Sequence, residues 1–206
     1  MEKINRSIIV GLMMMFGGSM FAQQDALLQK AFSESYTYES EGKYAAATQP
    51  LMKYYSEKSY ELNLRIGWLN YLQKNHTASR DYYRKAASLK PYSVEARLGL
   101  AKPLAALESI DELLRTYEEI LKIDPQQVTA NYWAGVIQYN RKRYEQASRH
   151  FERLVNLYPF DYDANHMLGW TYLQLGRTAE SRLLFQKALL IRPGDASALN
   201  GLSTLK

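Results

Sequence analysis

The 206-residue chain carries 26 lysines and arginines against 21 aspartates and glutamates, which gives a formal net charge of +5 at pH 7. It contains no cysteine, so disulfides, thiolate metal sites and a cysteine nucleophile are excluded. The small basic excess is scattered along the chain, and it therefore indicates no particular class of partner.

The first 22 residues have the pattern of a secretory signal peptide. Lys3 and Arg6 precede an apolar run over residues 8–16, and small residues then lead up to Ala22. This run is shorter than the roughly 20 apolar residues that a membrane-spanning helix needs, and no second apolar stretch is long enough to span a membrane. We therefore expect cleavage near Ala22, export, and a location in the periplasm of a Gram-negative bacterium.

A proline returns at intervals of 34 residues through the rest of the chain, at Pro91, Pro125, Pro159 and Pro193. This period is typical of arrays of paired helices and not of a catalytic domain. Each proline ends a second helix because it cannot continue the hydrogen-bond ladder. Each unit is therefore predicted to be a pair of short helices.

Two other positions repeat in phase with the prolines. The first helix of each unit has a small residue that lets the neighbouring helix approach closely: Gly67, Ala101, Gly135 and Gly169. The second helix has an aromatic residue that fills the space between units: Tyr83, Tyr117, Phe151 and Phe185. Several positions that agree in phase are a stronger signal than any one motif.

These positions resemble the tetratricopeptide repeat, whose pattern is W-x2-L-G-x2-Y, then A-x3-F, then P. The last unit matches it best, through Leu168, Gly169, Tyr172, Phe185, Ala188 and Pro193. The departures occupy the position where the family often has tryptophan: Asn63, Arg97, Asn131 and Asn165. The resemblance implies an all-α, right-handed α-solenoid of stacked helix-turn-helix units.

The resemblance also implies a division of the chain. Residues 23–61 read as a degenerate helix pair, residues 62–195 as four units, and residues 196–206 as a C-terminal capping helix. Pro50 and Pro103 lie out of phase, inside predicted helices. Because a proline ring clashes with the carbonyl one turn earlier, we expect a kink or an early helix end at each.

The first helices of this family line a concave groove that binds protein segments. Carried along the register, the predicted groove residues are Leu64, Trp68, Tyr71, Leu98, Lys102, Tyr132, Val136, Tyr139, Asn140, His166, Trp170 and Gln174. The expected anchors are the aromatic members Trp68, Tyr71, Tyr132, Tyr139 and Trp170, since tyrosine and tryptophan dominate binding hot spots. Trp68 and Trp170 directly follow an in-phase glycine, so we expect them to turn about 100° away from the packed face.

The sequence offers no candidate for a catalytic residue. His76, His150 and His166 are far apart in the repeat order, and neither a metal-ligand spacing nor a glycine-rich phosphate loop occurs. The basic cluster over residues 141–143 reads as a solvated turn, so nucleic acid is not an expected partner. No metal and no cofactor are expected.

We therefore predict a non-enzymatic protein-interaction scaffold of the bacterial envelope that holds an apolar or aromatic-rich partner segment. The alternative is a carbohydrate-binding module that uses the same aromatic groove, since aromatic rings also stack on sugars. Homo-oligomerisation through the groove is a third reading.

Overall fold

The computed structural model describes residues 23–205, and within this range every regular element is an α-helix. The all-α class predicted from the sequence is confirmed. The predicted signal peptide, residues 1–22, lies outside the described residues, as does Lys206. The chain divides into two compact units, and the boundary along the sequence lies between residues 89 and 90. No helix of the described range is both long enough and apolar enough to cross a membrane.

The described part of the first unit, residues 23–89, contains four helices. They are α1 (23–40), α2 (Tyr44–Met52), α3 (Tyr60–Leu72) and α4 (His76–Leu89). Helix α2 ends two residues after Pro50, which is the early end predicted for this proline. The core of the unit consists of small and aliphatic side chains from α1, α2 and α3: Ala31, Ala47, Leu51, Leu62, Ile66 and Leu69.

The second unit holds the remaining helices of the described range. They are α5 (Val94–Ala106), α6 (Ile110–Ile123), α7 (Val128–Asn140), α8 (Tyr144–Leu157), α9 (Tyr162–Gln174), α10 (Thr178–Ile191) and α11 (Ala196–Thr204). We call α3, α5, α7 and α9 the first helices, and α4, α6, α8 and α10 the second helices. Successive first helices begin 34 residues apart, as do successive second helices.

Pro103 does not shorten its helix. Helix α5 has 13 residues, the same length as α3, α7 and α9, so the early end expected at this proline does not occur. Pro103 lies in the last turn of α5, so it removes one backbone hydrogen bond, to the carbonyl of Gly99, and only three helical residues follow it. The amide of Leu107 donates to the carbonyl of Pro103 at 2.9 Å and closes this turn.

Every first helix, and α11 as well, begins with a side-chain cap. In each case the capping oxygen accepts a hydrogen bond from the backbone amide three residues later; the capping residues are Ser59, Ser93, Gln127, Asp161 and Asp195. Such a cap satisfies one of the amide donors that a helix leaves unpaired at its N-terminus. The cap therefore repeats with the same period as the prolines. Helix α3 begins at Tyr60, two residues before the predicted start of the first full unit.

The asparagines that stand in place of the family's tryptophan form hydrogen bonds to the turn before a first helix. Asn131 is fully buried, and its Nδ2 donates to the carbonyl oxygens of Pro125 and Gln127, both at 3.0 Å. Asn63 and Asn165 are also fully buried and make the same two kinds of bond. The departure from the family pattern thus exchanges aromatic packing for hydrogen bonds to the turn.

Replacing Asn131 by alanine is expected to lower the free energy of unfolding by about 1–3 kcal/mol, because the carbonyls of Pro125 and Gln127 lose the hydrogen bonds from its amide and a fully buried side chain is removed. Urea unfolding followed by circular dichroism measures the change. Asn140→Ala, at an exposed position of the same helix, is the control and is expected to change the value by less than about 0.5 kcal/mol. Equal unfolding midpoints for the two variants would contradict the role given to Asn131.

The in-phase glycines make room for the in-phase aromatic rings. A Cβ atom on Gly135 would lie 2.7 Å from the ring of Phe151, and one on Gly169 would lie 2.9 Å from the ring of Phe185. The hydroxyl of Ser181 also donates to the carbonyl of Gly169 at 2.8 Å. A first helix therefore packs closely on the second helix of its own unit, and this positions the side chains on its other face.

Candidate binding surface

The predicted groove residues of the first unit lie on α3 and are partly buried. The Nε1 of Trp68 donates to Oε1 of Glu39 on α1 at 2.6 Å, and the indole stacks on Tyr71 with 5.8 Å between ring centroids. Tyr71 in turn lies against His76, at 5.5 Å. Leu64 is also partly buried. The polar end of Trp68 is therefore engaged by α1, and its ring forms a layer with Tyr71.

The predicted residues on α7 form an apolar row. Tyr132, Val136 and Tyr139 are partly buried and pack against the core cluster of α8 and α9. The ring of Tyr132 lies 6.2 Å from Phe151, and the ring of Tyr139 lies 5.4 Å from Tyr144. Each side chain thus has one side on the core and another side that is partly accessible. Asn140, at the end of the row, is exposed.

Trp170 on α9 is packed more tightly than its sequence position indicates. Its ring lies edge-on to Phe185 at 5.2 Å, and its Nε1 is 3.1 Å from Nε2 of His166 and 3.2 Å from Oγ of Ser197. The expectation that this tryptophan turns away from the packed face took no account of its contact with Ser197 on α11, the helix predicted as a cap. Trp170 and His166 therefore help to hold the C-terminal helix, and Gln174 is the exposed member of this row.

The predicted residues on α5 differ in exposure. Leu98 is partly buried, whereas Lys102 is exposed. The nine predicted residues of the second unit thus lie on three first helices, and the apolar part of the surface is concentrated on α7.

The largest accessible aromatic feature of α7 was not predicted. Trp133 is 46% exposed, and its ring lies 5.2 Å from that of Tyr132. It borders a pocket of about 450 Å³ whose lining is Val128, Thr129, Tyr132, Trp133, Leu154, Tyr158, Asp161, Asp163 and Ala164. The register carried along the first helices included Tyr132 and passed over its neighbour. The one available signal was the pair of adjacent aromatic residues, Tyr132 and Trp133, on α7.

Burial and nearby carboxylates set the titration of this surface. Burial raises the pKa of Tyr132, and the negative charges of Asp163 and Asp161 raise it further. Burial lowers the pKa of His166, although the carboxylates of Asp195 and Asp163 oppose the change. The pKa of His150 is lowered by burial and by the charge of Arg153.

The folded chain is expected to lose stability as the pH falls below about 6.5, the ordinary pKa of histidine. Because the pKa values of His166 and His150 are lowered on folding, the unfolded chain binds more protons in this range. The contribution of the two histidines to the free energy of unfolding is complete above the pKa that they have in the unfolded chain. It is lost as the pH falls through the lower pKa values that they have in the folded chain. Urea unfolding at about pH 7.5 and about pH 5.5 measures the loss, which should be smaller in His166→Gln. An equal loss in wild type and variant would contradict this assignment.

Between residues 23 and 205, no three histidine, aspartate or glutamate side chains cluster in a way that would hold a metal ion. The basic cluster predicted to be a solvated turn lies between α7 and α8. Within it, Nη2 of Arg141 pairs with Oδ1 of Asp111 at 2.6 Å.

Family models described as tetratricopeptide repeat match residues 60–93, 93–147 and 140–198. A curated relative, "Protein CTR9 homolog" of Arabidopsis thaliana, is 24% identical over 168 residues. The match covers 74% of this chain and only 15% of the relative. The whole relative is therefore much longer than the repeats that it shares with this chain.

Solved structures share the fold at low sequence identity. A tetratricopeptide repeat protein from Parabacteroides merdae ATCC 43184 superposes with a TM-score of 0.74 at 18% identity, over 87% of this chain and 72% of that one. YrrB, described as a TPR protein with an unusual peptide-binding site, superposes with a TM-score of 0.72 at 15% identity, over 90% of this chain and 97% of that one. MamA 41-end from Desulfovibrio magneticus RS-1 superposes with a TM-score of 0.69 at 15% identity, over 82% of this chain and 97% of that one.

Proposed function

This chain belongs to the tetratricopeptide repeat family, and from that premise we propose that it is a non-enzymatic scaffold that binds a segment of a protein partner. Within each unit taken by itself, the binding surface is the accessible face of its first helices. The observation that carries the proposal is the row of Tyr132, Val136 and Tyr139 on α7, with Trp133 beside it. A peptide-binding site is described for YrrB, which has the same fold.

The row on α7 suits an apolar or aromatic-rich segment. Tyrosine and tryptophan offer a large contact area at low entropic cost, and side chains that are already held on one side lose little freedom on binding. A segment laid against the row would complete the burial of Tyr132, Val136 and Tyr139. Trp68 and Trp170 make a smaller contribution in this proposal, because internal hydrogen bonds already satisfy their indole nitrogens.

The cellular setting of the proposal is the bacterial envelope. Its support is the signal-peptide pattern of residues 1–22. If the full chain is expressed in a Gram-negative host, intact mass analysis of the periplasmic fraction should find a chain that starts at or near Gln23. A full-length chain retained in the cytoplasm would contradict export without affecting the binding proposal.

Photo-crosslinking tests the binding surface without disturbing the core. p-Benzoylphenylalanine is placed singly at Asn140 or Gln174, which are exposed on first helices. The matched controls carry it at Arg149 or Gln186, which are exposed on second helices. Each chain is irradiated in envelope extract, and the adducts are separated by mass.

The proposal expects a shared protein adduct from Asn140 and Gln174 that is absent from Arg149 and Gln186. Equal adducts at all four positions, or adducts at the controls alone, would remove the first helices as the binding face. An adduct that resists protease and stains for sugar would instead favour carbohydrate binding. A homodimer adduct would favour self-association.

A further inference from the structure

The pocket beside Trp133 combines accessible aromatic surface with a defined shape. It lies where the first turn of α7, the C-terminal end of α8 and the start of α9 meet. Trp133 is 46% exposed, Tyr158 52% and Val128 42%. With a volume of about 450 Å³, the pocket falls in the range of sites that hold a ligand side chain or a small molecule.

Two carboxylates lie at the α9 wall of this pocket. Oδ1 of Asp161 caps α9 by accepting from the amide of Ala164 at 2.8 Å. Asp163 is exposed in the first turn of the same helix. In the part of the chain that the structure describes, no lysine, arginine or histidine forms an ion pair with either group. Their charges are felt inside the pocket, since they help to raise the pKa of Tyr132.

We propose that this pocket receives a lysine or arginine side chain of the bound protein segment. The aliphatic stem would lie against Trp133 and Tyr158, and the charged end would lie near Asp161 and Asp163. A cation is attracted to the face of an aromatic ring, and most strongly to tryptophan. Carboxylates at the same wall add charge complementarity, which fixes register more than it raises affinity. This inference rests on the proposed function and adds a charge requirement to it.

A phage-displayed library of random 12-residue peptides tests the inference on the full chain. Selections are run in parallel on the wild type and on the double variant Asp161→Asn, Asp163→Asn. Asparagine also caps helices well, so the variant removes the charge and keeps the N-cap of α9. The control is Glu118→Gln with Glu145→Gln, which makes the same change of net charge at exposed positions of second helices.

The inference expects wild-type selection to enrich peptides with a lysine or arginine at a fixed spacing from apolar residues. Such a peptide should bind the aspartate variant about tenfold more weakly and the control variant unchanged. Trp133→Ala should weaken the same peptide, while a version of the peptide with norleucine in place of the basic residue should bind wild type and aspartate variant alike.

Two other outcomes overturn the inference and separate it from the proposed function. Enriched peptides that lack a basic residue and bind the wild type and the aspartate variant equally would contradict the role given to the pocket. They would still support the proposed binding of a protein segment. No enrichment at all would count against both.

Discussion

Phe185→Ala is expected to lower the free energy of unfolding by about 3–5 kcal/mol, the range for removing a large buried aromatic side chain. Phe185 is fully buried, and its ring lies 5.2 Å from Trp170 and 6.5 Å from His166. It also fills the space opposite Gly169 and Gly201, where a Cβ atom would overlap the ring. Removal of the ring therefore leaves a cavity among α9, α10 and α11, which the rigid helix backbones cannot close.

Urea unfolding gives the size of the change, and hydrogen exchange shows where it acts. Exchange should rise first in α11, because its residues pack on the ring of Phe185. Leu183→Ala on the same helix is the control: Leu183 is 66% exposed, and its loss should change stability by less than about 0.5 kcal/mol. If both variants unfold at the same urea concentration, Phe185 does not have this central role.

Glu39→Ala is expected to destabilise the first unit by about 3 kcal/mol, because it leaves a buried guanidinium without its counter-charge. Arg65 is 7% exposed and forms an ion pair with Glu39 through Nη1. Its Nε donates to Oγ of Ser35 at 3.2 Å, and its guanidinium lies 3.9 Å from the ring of Tyr36. The other oxygen of Glu39 accepts from Trp68, so a single carboxylate joins α1 to two residues of α3.

The Glu39 variant is compared with Glu34→Ala on the same helix. Glu34 is exposed, and its pair with Lys30 spans 3.9 Å at the surface, so its loss should cost little. Limited proteolysis should cleave α1 of the Glu39 variant first and leave α1 of the Glu34 variant intact. Equal protection of α1 in both variants would show that the pair with Arg65 does not hold this helix.

The sequence was informative wherever a feature repeats. The prolines and the in-phase small and aromatic residues have the same period as the helices, so the helix pairing followed from spacing and the fold class from the family resemblance of the same positions. The physical reason is that every unit needs the same close approach of its two helices at the same position of the repeat. Pro103 shows the limit: it stands three residues before the end of α5, and its sequence position did not say how near that end was.

Features that depend on non-repeating contacts were not predictable. Trp170 is packed because α11 brings Ser197 to its indole nitrogen, and the two preceding units have Val136 and Lys102 at the same position. The hydrogen bonds of Asn131 to two turn carbonyls do repeat, at Asn63 and Asn165, but the family pattern has tryptophan at this position and so gave no guide to them. Trp133 has no aromatic counterpart at the same position of the other units. Carrying the register of one unit along the chain therefore passed over this exposed side chain.

The central claim, that the first helices bind a partner segment, is tested most directly by nuclear magnetic resonance. A ¹⁵N-labelled full chain is titrated with a 12-residue peptide selected on it, and the shifted amide signals are mapped. We predict shifts concentrated in α7 and α9, residues 128–140 and 162–174, and at the C-terminal end of α8, which borders the pocket, with those of α6 and α10 unchanged. Shifts confined to the second helices would contradict the account.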